Sequence, residues 1–335
     1  MPAPSDLAPR TGIRIARDER LVRELGTAHI VTAVLALPAG GHVWARRPGP
    51  ARDAPLPLPG PATASSLRTV SDVSPVGLAL AEPDQHQAGV LRYPAPGVQA
   101  AATLLRVNAR GAGPSVREAV RGLGTTLRLL HAQPAPETGA APPAPARLSR
   151  WLRSGHGPGA TRRLYAAARS RLGDRRLGSI ADWADEAPRG SHPRVLLHGG
   201  PALGGLVLPV GSGRPVLLTG EEATGGSWEF DVAWQLAEFA EMAAGVRWGV
   251  CGPADHTGLA RAFLDGYGRQ PSPAAARRAV AVRSLTHAHD FAAYVTWHSE
   301  LTTYLDLVAE AAEAAEAPDA AAGWDATRVC SVGAR

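Results

Sequence analysis

The sequence predicts an α+β chain of two lobes, a small β-rich lobe over residues 1–95 and a large helical lobe over 96–335. Three observations predict it. Short β-branched runs fall in the first third of the chain. A Pro94-Ala95-Pro96-Gly97 stretch punctuates it as a hinge. Beyond Ser115, apolar residues recur at helical spacing. At 335 residues the chain can bury a substantial core, as one large domain or two lobes.

In order, His29 to Leu37 is apolar and β-branched and reads as a strand, with His42 to Arg47 as its hairpin partner across Pro38-Ala39-Gly40-Gly41. Pro48 to Pro61 reads as a proline-rich loop, and Val76 to Ala81 and Gly89 to Tyr93 as two more strands. Ser115 to His131 is a helix, with Val116, Val120, Leu123, Leu127 and Leu130 on one face. Pro134 to Pro145 is a low-complexity break. Leu148 to Arg153 and Ala160 to Leu172 read as short helices. Trp228 to Ala244 is amphipathic, with Val232, Leu236, Phe239 and Ala243 aligned. Ala274 to Ala317 is strongly helical, with a break expected near His287 and an exposed acidic end over Glu310 to Glu316.

Composition narrows the function. A net charge of +5 and a pI of about 9.8 permit an acidic partner. No run of five or more basic residues occurs and aromatics are only 5%, which argues against nucleic acid. Two cysteines, Cys251 and Cys330, offer neither metal spacing nor a disulfide framework and fit a reducing compartment. Met1 to Arg20 lacks the apolar centre of a signal peptide, and no long apolar run predicts a membrane span. The expected location is cytoplasmic.

The segment Val195-Leu196-Leu197-His198-Gly199-Gly200-Pro201-Ala202-Leu203-Gly204-Gly205-Leu206-Val207-Leu208 resembles the catalytic loop of the aminoglycoside phosphotransferase-like kinases. That family's loop reads strand, His-Gly-Asp, four residues, Asn, strand. Phe230-Asp231-Val232-Ala233-Trp234 resembles the family's Asp-Leu-Ala helix start. Leu129-Leu130-His131 resembles the end of its first large-lobe helix, and Gly266-Tyr267 the end of a late one. More weakly, His42 to Pro48 resembles the strand bearing the ATP-binding basic residue, and Val90 to Pro94 the last small-lobe strand. The resemblance implies a two-lobed, protein-kinase-like fold of the aminoglycoside phosphotransferase type.

It also implies that the chemistry has been lost. Gly200 stands at the catalytic Asp and Gly205 at the metal-binding Asn, and glycine can neither orient a hydroxyl nor ligate Mg²⁺. Thr219 stands at the second metal ligand, or Gly220 with a one-residue slip. All 35 basic residues are arginines, so Arg46 or Arg47 takes the place of the phosphate-pairing Lys. No glycine-rich phosphate loop precedes that strand. His198 and Asp231 remain, and the family uses such residues as structural braces.

The glycines of the 199–205 loop read as a remodelled pocket floor or as drift. Glu221 and Glu222 are candidates for a base or metal ligand, against a solvated pair of carboxylates. Arg162, Arg163 and Arg169 form a weak candidate surface for an acidic peptide, since 162 and 169 share a face. His287 and His289 lie two apart and point away from each other on a helix, so they read as surface histidines, as does His298.

The leading expectation is a pseudokinase that binds a polypeptide or a partner enzyme, with no metal and no cofactor. By analogy with the family, the setting is modification of a ribosomally made peptide, of which lanthipeptides are an example. A repurposed peptide-modifying or cyclising enzyme in the old cleft, and a residual phosphotransferase using Glu221 or Glu222, are the alternatives.

Overall fold

The computed structural model describes residues 12–52, 54–74, 78–107, 112–136, 141–190, 192–317 and 325–331. The N-terminal stretch Met1–Thr11, and position 76 of the strand expected to start there, lie outside them.

The small lobe is built on an antiparallel sheet. Strands β1 (Arg20–Gly26), β2 (Ile30–Ala36) and β3 (His42–Pro48) follow one another. Helix α1 (Pro61–Val73) and strand β4 (Ala79–Ala81) come next, then β5 (Asp84–Gln87) and β6 (Val90–Ala95). The sheet order is β1-β2-β3-β6-β5. Three of these elements, β1, α1 and the polar β5, went unread. Strand β1 alternates exposed and half-buried residues and has a single weak apolar face. Helix α1 buries only Thr63, Leu67 and Val70. Its Ala/Ser/Thr-rich face gives little periodicity, although Pro61 at its first turn is a favourable start.

The expected hinge is pinned. Trp44 Nε1 donates to Gly97 O at 3.0 Å. The chain then forms β7 (Gln99–Ala100), α2 (Ala101–Arg106) and α3 (Ala112–Leu130). Helices α4 (Pro143–Ser154) and α5 (Thr161–Glu186, kinked at Gly173) follow. Strands β8 (Val195–Leu197), β9 (Leu206–Leu208), β10 (Val216–Leu218) and β11 (Thr224–Gly226) frame the loops of interest. A second sheet, β4-β10-β9-β7, joins the two parts of the chain through the parallel pair β4–β10, and β8 pairs with β11.

Helices α6 (Trp228–Arg247), α7 (His256–Tyr267), α8 (Pro273–Tyr294) and α9 (Glu300–Glu316) complete the large lobe, with a 3-10 turn at Ala326–Ser331. The break expected near His287 falls instead between Tyr294 and Glu300. Position 287 is well inside α8, whose core face continues through Leu285, Ala288 and Ala292. His289 is also a correction: it is buried, against Trp151 and bonded to Asp290, so it is no surface residue. The core joins Leu123, Leu127 and Leu130 of α3 to Val232, Leu236 and Phe239 of α6 and Phe263 and Tyr267 of α7. It lies directly under the loop that follows β8. Among the described residues, no helix is long and apolar enough to cross a membrane.

Candidate functional site

The loop from His198 to Gly205 is held from below by α6. Asp231, fully buried in the first turn of α6, accepts from His198 N at 2.7 Å and Gly199 N at 3.1 Å. The same carboxylate meets His131 Nε2 at 3.1 Å, and His131 Nδ1 meets the Tyr267 hydroxyl at 2.8 Å. Burial holds that hydroxyl up at about 12, so it stays a donor. The His198 ring donates through Nε2 to Leu218 O at 3.1 Å, tying the loop to β10. Burial lowers the His198 imidazole below its ordinary value.

A second brace lies further along the loop. Leu203 N donates to Glu238 Oε2 at 2.8 Å, and Gln235 and Arg283 also hold Glu238. Neither Glu238 nor Arg283 was singled out in the sequence. The signal the sequence carried was two glutamates, Glu238 and Glu241, three apart in a largely apolar helix; the structure buries both. Beside them a cavity of about 330 Å³ opens, lined by Glu241, Arg283, His287 and Tyr304.

The positions that resemble metal and base sites carry no carboxylate. Gly200 and Gly205 have no side chain, and the Thr219 hydroxyl is buried without a hydrogen-bond partner among the described residues. Nor do the described residues contain a group of three or more His, Cys, Asp or Glu side chains placed to hold a metal. Among positions 200, 205 and 219 the one side-chain oxygen is the Thr219 hydroxyl; the neighbouring carboxylates are Glu221, which is held by Arg46, and Glu222.

Arg46 and Arg47 point to opposite sides of β3, as alternation requires. Arg47 lies beside Gly12 and donates to Pro48 O at 2.8 Å. Arg46 faces the cleft, with its guanidinium 5.4 Å from the Tyr93 ring, and forms a short ion pair with Glu221. Helix α1 offers no acidic residue before Asp72, so Glu221, from the turn after β10, takes the charge. Both side chains are largely buried, at 17% and 12% exposure. Arg46→Met is therefore expected to cost about 3 kcal/mol by stranding Glu221, while Arg46→Met with Glu221→Met costs less than either single change. A double-mutant cycle by urea denaturation measures this; equal and additive losses would remove the pair from the cleft's architecture.

Glu222 lies on the other side of that turn. A Cβ placed on Gly200 would be 3.0 Å from Glu222 Oε2 and 3.7 Å from Trp234 Nε1. Its carboxyl makes no hydrogen bond or ion pair among the described residues, which sets it apart from Glu221. Burial pushes it up to about 7, Glu221 adds to the shift, and Arg147, Arg46 and Arg52 oppose it. Because the folded value lies above the unfolded one, the folded state binds the proton more tightly. Stability contributed by Glu222 is thus present at low pH and lost as pH rises from about 4.3 toward about 7. Glu222→Gln, a mimic of the protonated form, should be more stable than the parent at pH 8 by about 2 kcal/mol and no different below pH 4. Denaturation midpoints across pH give the comparison, and a constant difference would rule the titration out.

The turn between β1 and β2 is docked onto the large lobe. Ala28 N donates to Tyr294 O at 2.7 Å, and the His29 ring stacks on Tyr294 at 4.5 Å. Arg52 Nη1 lies 3.2 Å from His29 Nε2. Burial, then Arg147 and Arg52, lowers the His29 imidazole to about 4, so it is neutral and accepts from Arg52. Arg147 in turn is bound to Asp290 through two hydrogen bonds.

The arginine face of α5 is largely neutralised within the chain. Arg169 is bonded twice to Asp174, at 2.6 and 2.8 Å, and Arg163 lies over the Trp297 ring at 4.0 Å. Arg162 is exposed, with no hydrogen bond or ion pair among the described residues.

No family model matches the chain, and no curated protein matches it. Solved structures do. An amicoumacin kinase in complex with AMP-PNP, Ca²⁺ and Ami aligns with a TM-score of 0.53 at 11% identity, over 88% of each chain. Ethanolamine kinase from Plasmodium vivax aligns at 0.52 and 10% identity, over 90% of this chain and 83% of that one. A macrolide 2'-phosphotransferase from Brachybacterium faecium shares 18% identity over 94% and 97%, with a TM-score of 0.43. At such identities the likeness establishes the fold. It is the two-lobed fold of the aminoglycoside phosphotransferase-like, small-molecule kinases.

Proposed function

We propose that this chain is a pseudokinase, a phosphotransferase-type fold that has given up Mg²⁺–ATP chemistry and serves as a polypeptide-binding component. The observation that carries the reading is the cleft's charge arrangement. The cation of β3, Arg46, is committed to Glu221, and positions 200, 205 and 219 hold no metal-binding carboxylate. A positioned base is commonly worth two to four decades of rate, and metal ligands add further loss. The scaffold below is intact: Asp231 still shapes a loop whose floor at Gly200, Pro201 and Ala202 is nearly free of side chains. Such a floor suits close approach of another backbone. Modification of a ribosomally made peptide is a setting in which a docking subunit of this kind would work.

Calorimetry of ATP binding, with and without Mg²⁺, tests it. The expected result is no Mg²⁺-dependent affinity and no phosphoryl transfer. ATP turnover above background that disappears in a Glu221→Ala, Glu222→Ala double variant would overturn it in favour of a residual kinase.

A further inference from the structure

We infer that the cleft has kept a proton-transfer carboxyl by relocation: Glu222, on the turn after β10, occupies the space of the side chain missing at Gly200 and acts on a ligand that presents an O–H, N–H or S–H group over that glycine. The inference rests on the reading that the cleft serves a ligand other than Mg²⁺–ATP. It goes beyond that reading by making the cleft chemically competent.

The geometry carries it. Glu222 Oε2 lies 3.0 Å from where Cβ of residue 200 would be, within the volume that a loop side chain would fill. The loop and the turn are interlocked at this point. Gly199 has no Cβ, and one placed there would be 1.9 Å from Glu222 O, so the turn can pass directly over the loop. Trp234 Nε1, 3.7 Å from the same Gly200 position, walls the space on the large-lobe side.

The two neighbouring carboxylates have separated roles. Glu221 is spent on Arg46, whereas Glu222 has no hydrogen-bond partner among the described residues and is only partly buried. The charged groups that act on it are Glu221, Arg46, Arg52 and Arg147, two of the arginines being themselves paired, Arg46 with Glu221 and Arg147 with Asp290. Its carboxyl near neutrality suits both giving and taking a proton.

The step is a proton transfer. The bond between hydrogen and the ligand's heteroatom breaks, its electron pair stays on that heteroatom, and the proton forms an O–H bond on Glu222. Arg46 and Arg147 are paired with Glu221 and Asp290, so Arg52 is the cation that favours the anion or free amine left behind.

Two experiments on the full chain test this without knowing the ligand. The first is labelling with a water-soluble carbodiimide and glycine ethyl ester at pH 7, read by peptide mass spectrometry. A carboxyl titrating near 7 is about half protonated there, against roughly one in five hundred for an ordinary glutamate. Glu222 should therefore label fastest, and the rate should fall about tenfold per pH unit above its midpoint. Labelling no faster than that of exposed carboxylates, or independent of pH, overturns the inference.

The second is a carboxylate swap. Gly200→Asp alone should lower the melting temperature, by crowding Glu222 and because φ at this position is 156°, and Gly200→Asp with Glu222→Gly should recover the part due to crowding, with the labelled site moving to residue 200. Additive losses show that the two positions do not share one space, and overturn the inference. Either result is independent of ATP binding, so failure here is distinct from failure of the pseudokinase reading.

Discussion

Asp231→Ala is expected to destabilise the protein by about 4 kcal/mol, the largest loss of any truncation at the site. The carboxylate is fully buried and holds three donors, His198 N, Gly199 N and His131 Nε2. A hydrogen bond to a charged group contributes about 1.5–3 kcal/mol, and a buried donor left without a partner costs its own desolvation. Alanine strands all three. The loss also spreads, because His131 is oriented by the Tyr267 hydroxyl at the end of α7. Asp231→Asn keeps oxygen on one side only and should fall between. Urea denaturation with an unchanged slope provides the measure. An Ala variant that melts like the parent but no longer binds its ligand would move Asp231 from scaffold to chemistry.

That network shows what the sequence made legible and what it did not. His198 and Asp231 were readable because their types and spacing match a family frame. The lobes were readable because β2 is β-branched, β3 follows it across a Pro-Ala-Gly-Gly turn, and α3 and α6 carry apolar residues at helical spacing. Helix α1 was not, since its buried face is a threonine, a leucine and a valine among small polar residues. Position 289 was misjudged because periodicity says which face a residue is on, and not which neighbour covers it; here α4 does, through Trp151. Glu221 and Glu222 were visible as candidates, but adjacent carboxylates look alike in a string. Only the turn's path over Gly199 sends one to Arg46 and the other to Gly200. The arginines of α5 were visible as charge, while their partners, Asp174 for Arg169 and Asp306 for Arg171, were set by folding.

Gly199→Ala and Gly200→Ala should differ despite being neighbours. At Gly199 the backbone is left-handed, with φ 93°, and a Cβ would stand 1.9 Å from Glu222 O and 2.8 Å from Glu222 C. Those are backbone atoms of a turn that is itself tied down, since its Glu221 is paired with Arg46 across the cleft. The turn cannot yield without breaking that pair, and the left-handed φ adds about 1–3 kcal/mol for a residue with a side chain. The expected loss for Gly199→Ala is at least about 4 kcal/mol, in the range reserved for a named steric failure. At Gly200 the atom met is Glu222 Oε2, the far end of a flexible side chain, at 3.0 Å. A rotamer change relieves that contact, and what remains is the backbone, since φ at Gly200 is 156°; Gly200→Ala should therefore cost about 1–3 kcal/mol, less than Gly199→Ala. Denaturation midpoints of the two variants, side by side, decide the matter. A Gly199→Ala variant as stable as Gly200→Ala would mean that the turn does not lie on the loop, and would take Glu222 away from Gly200.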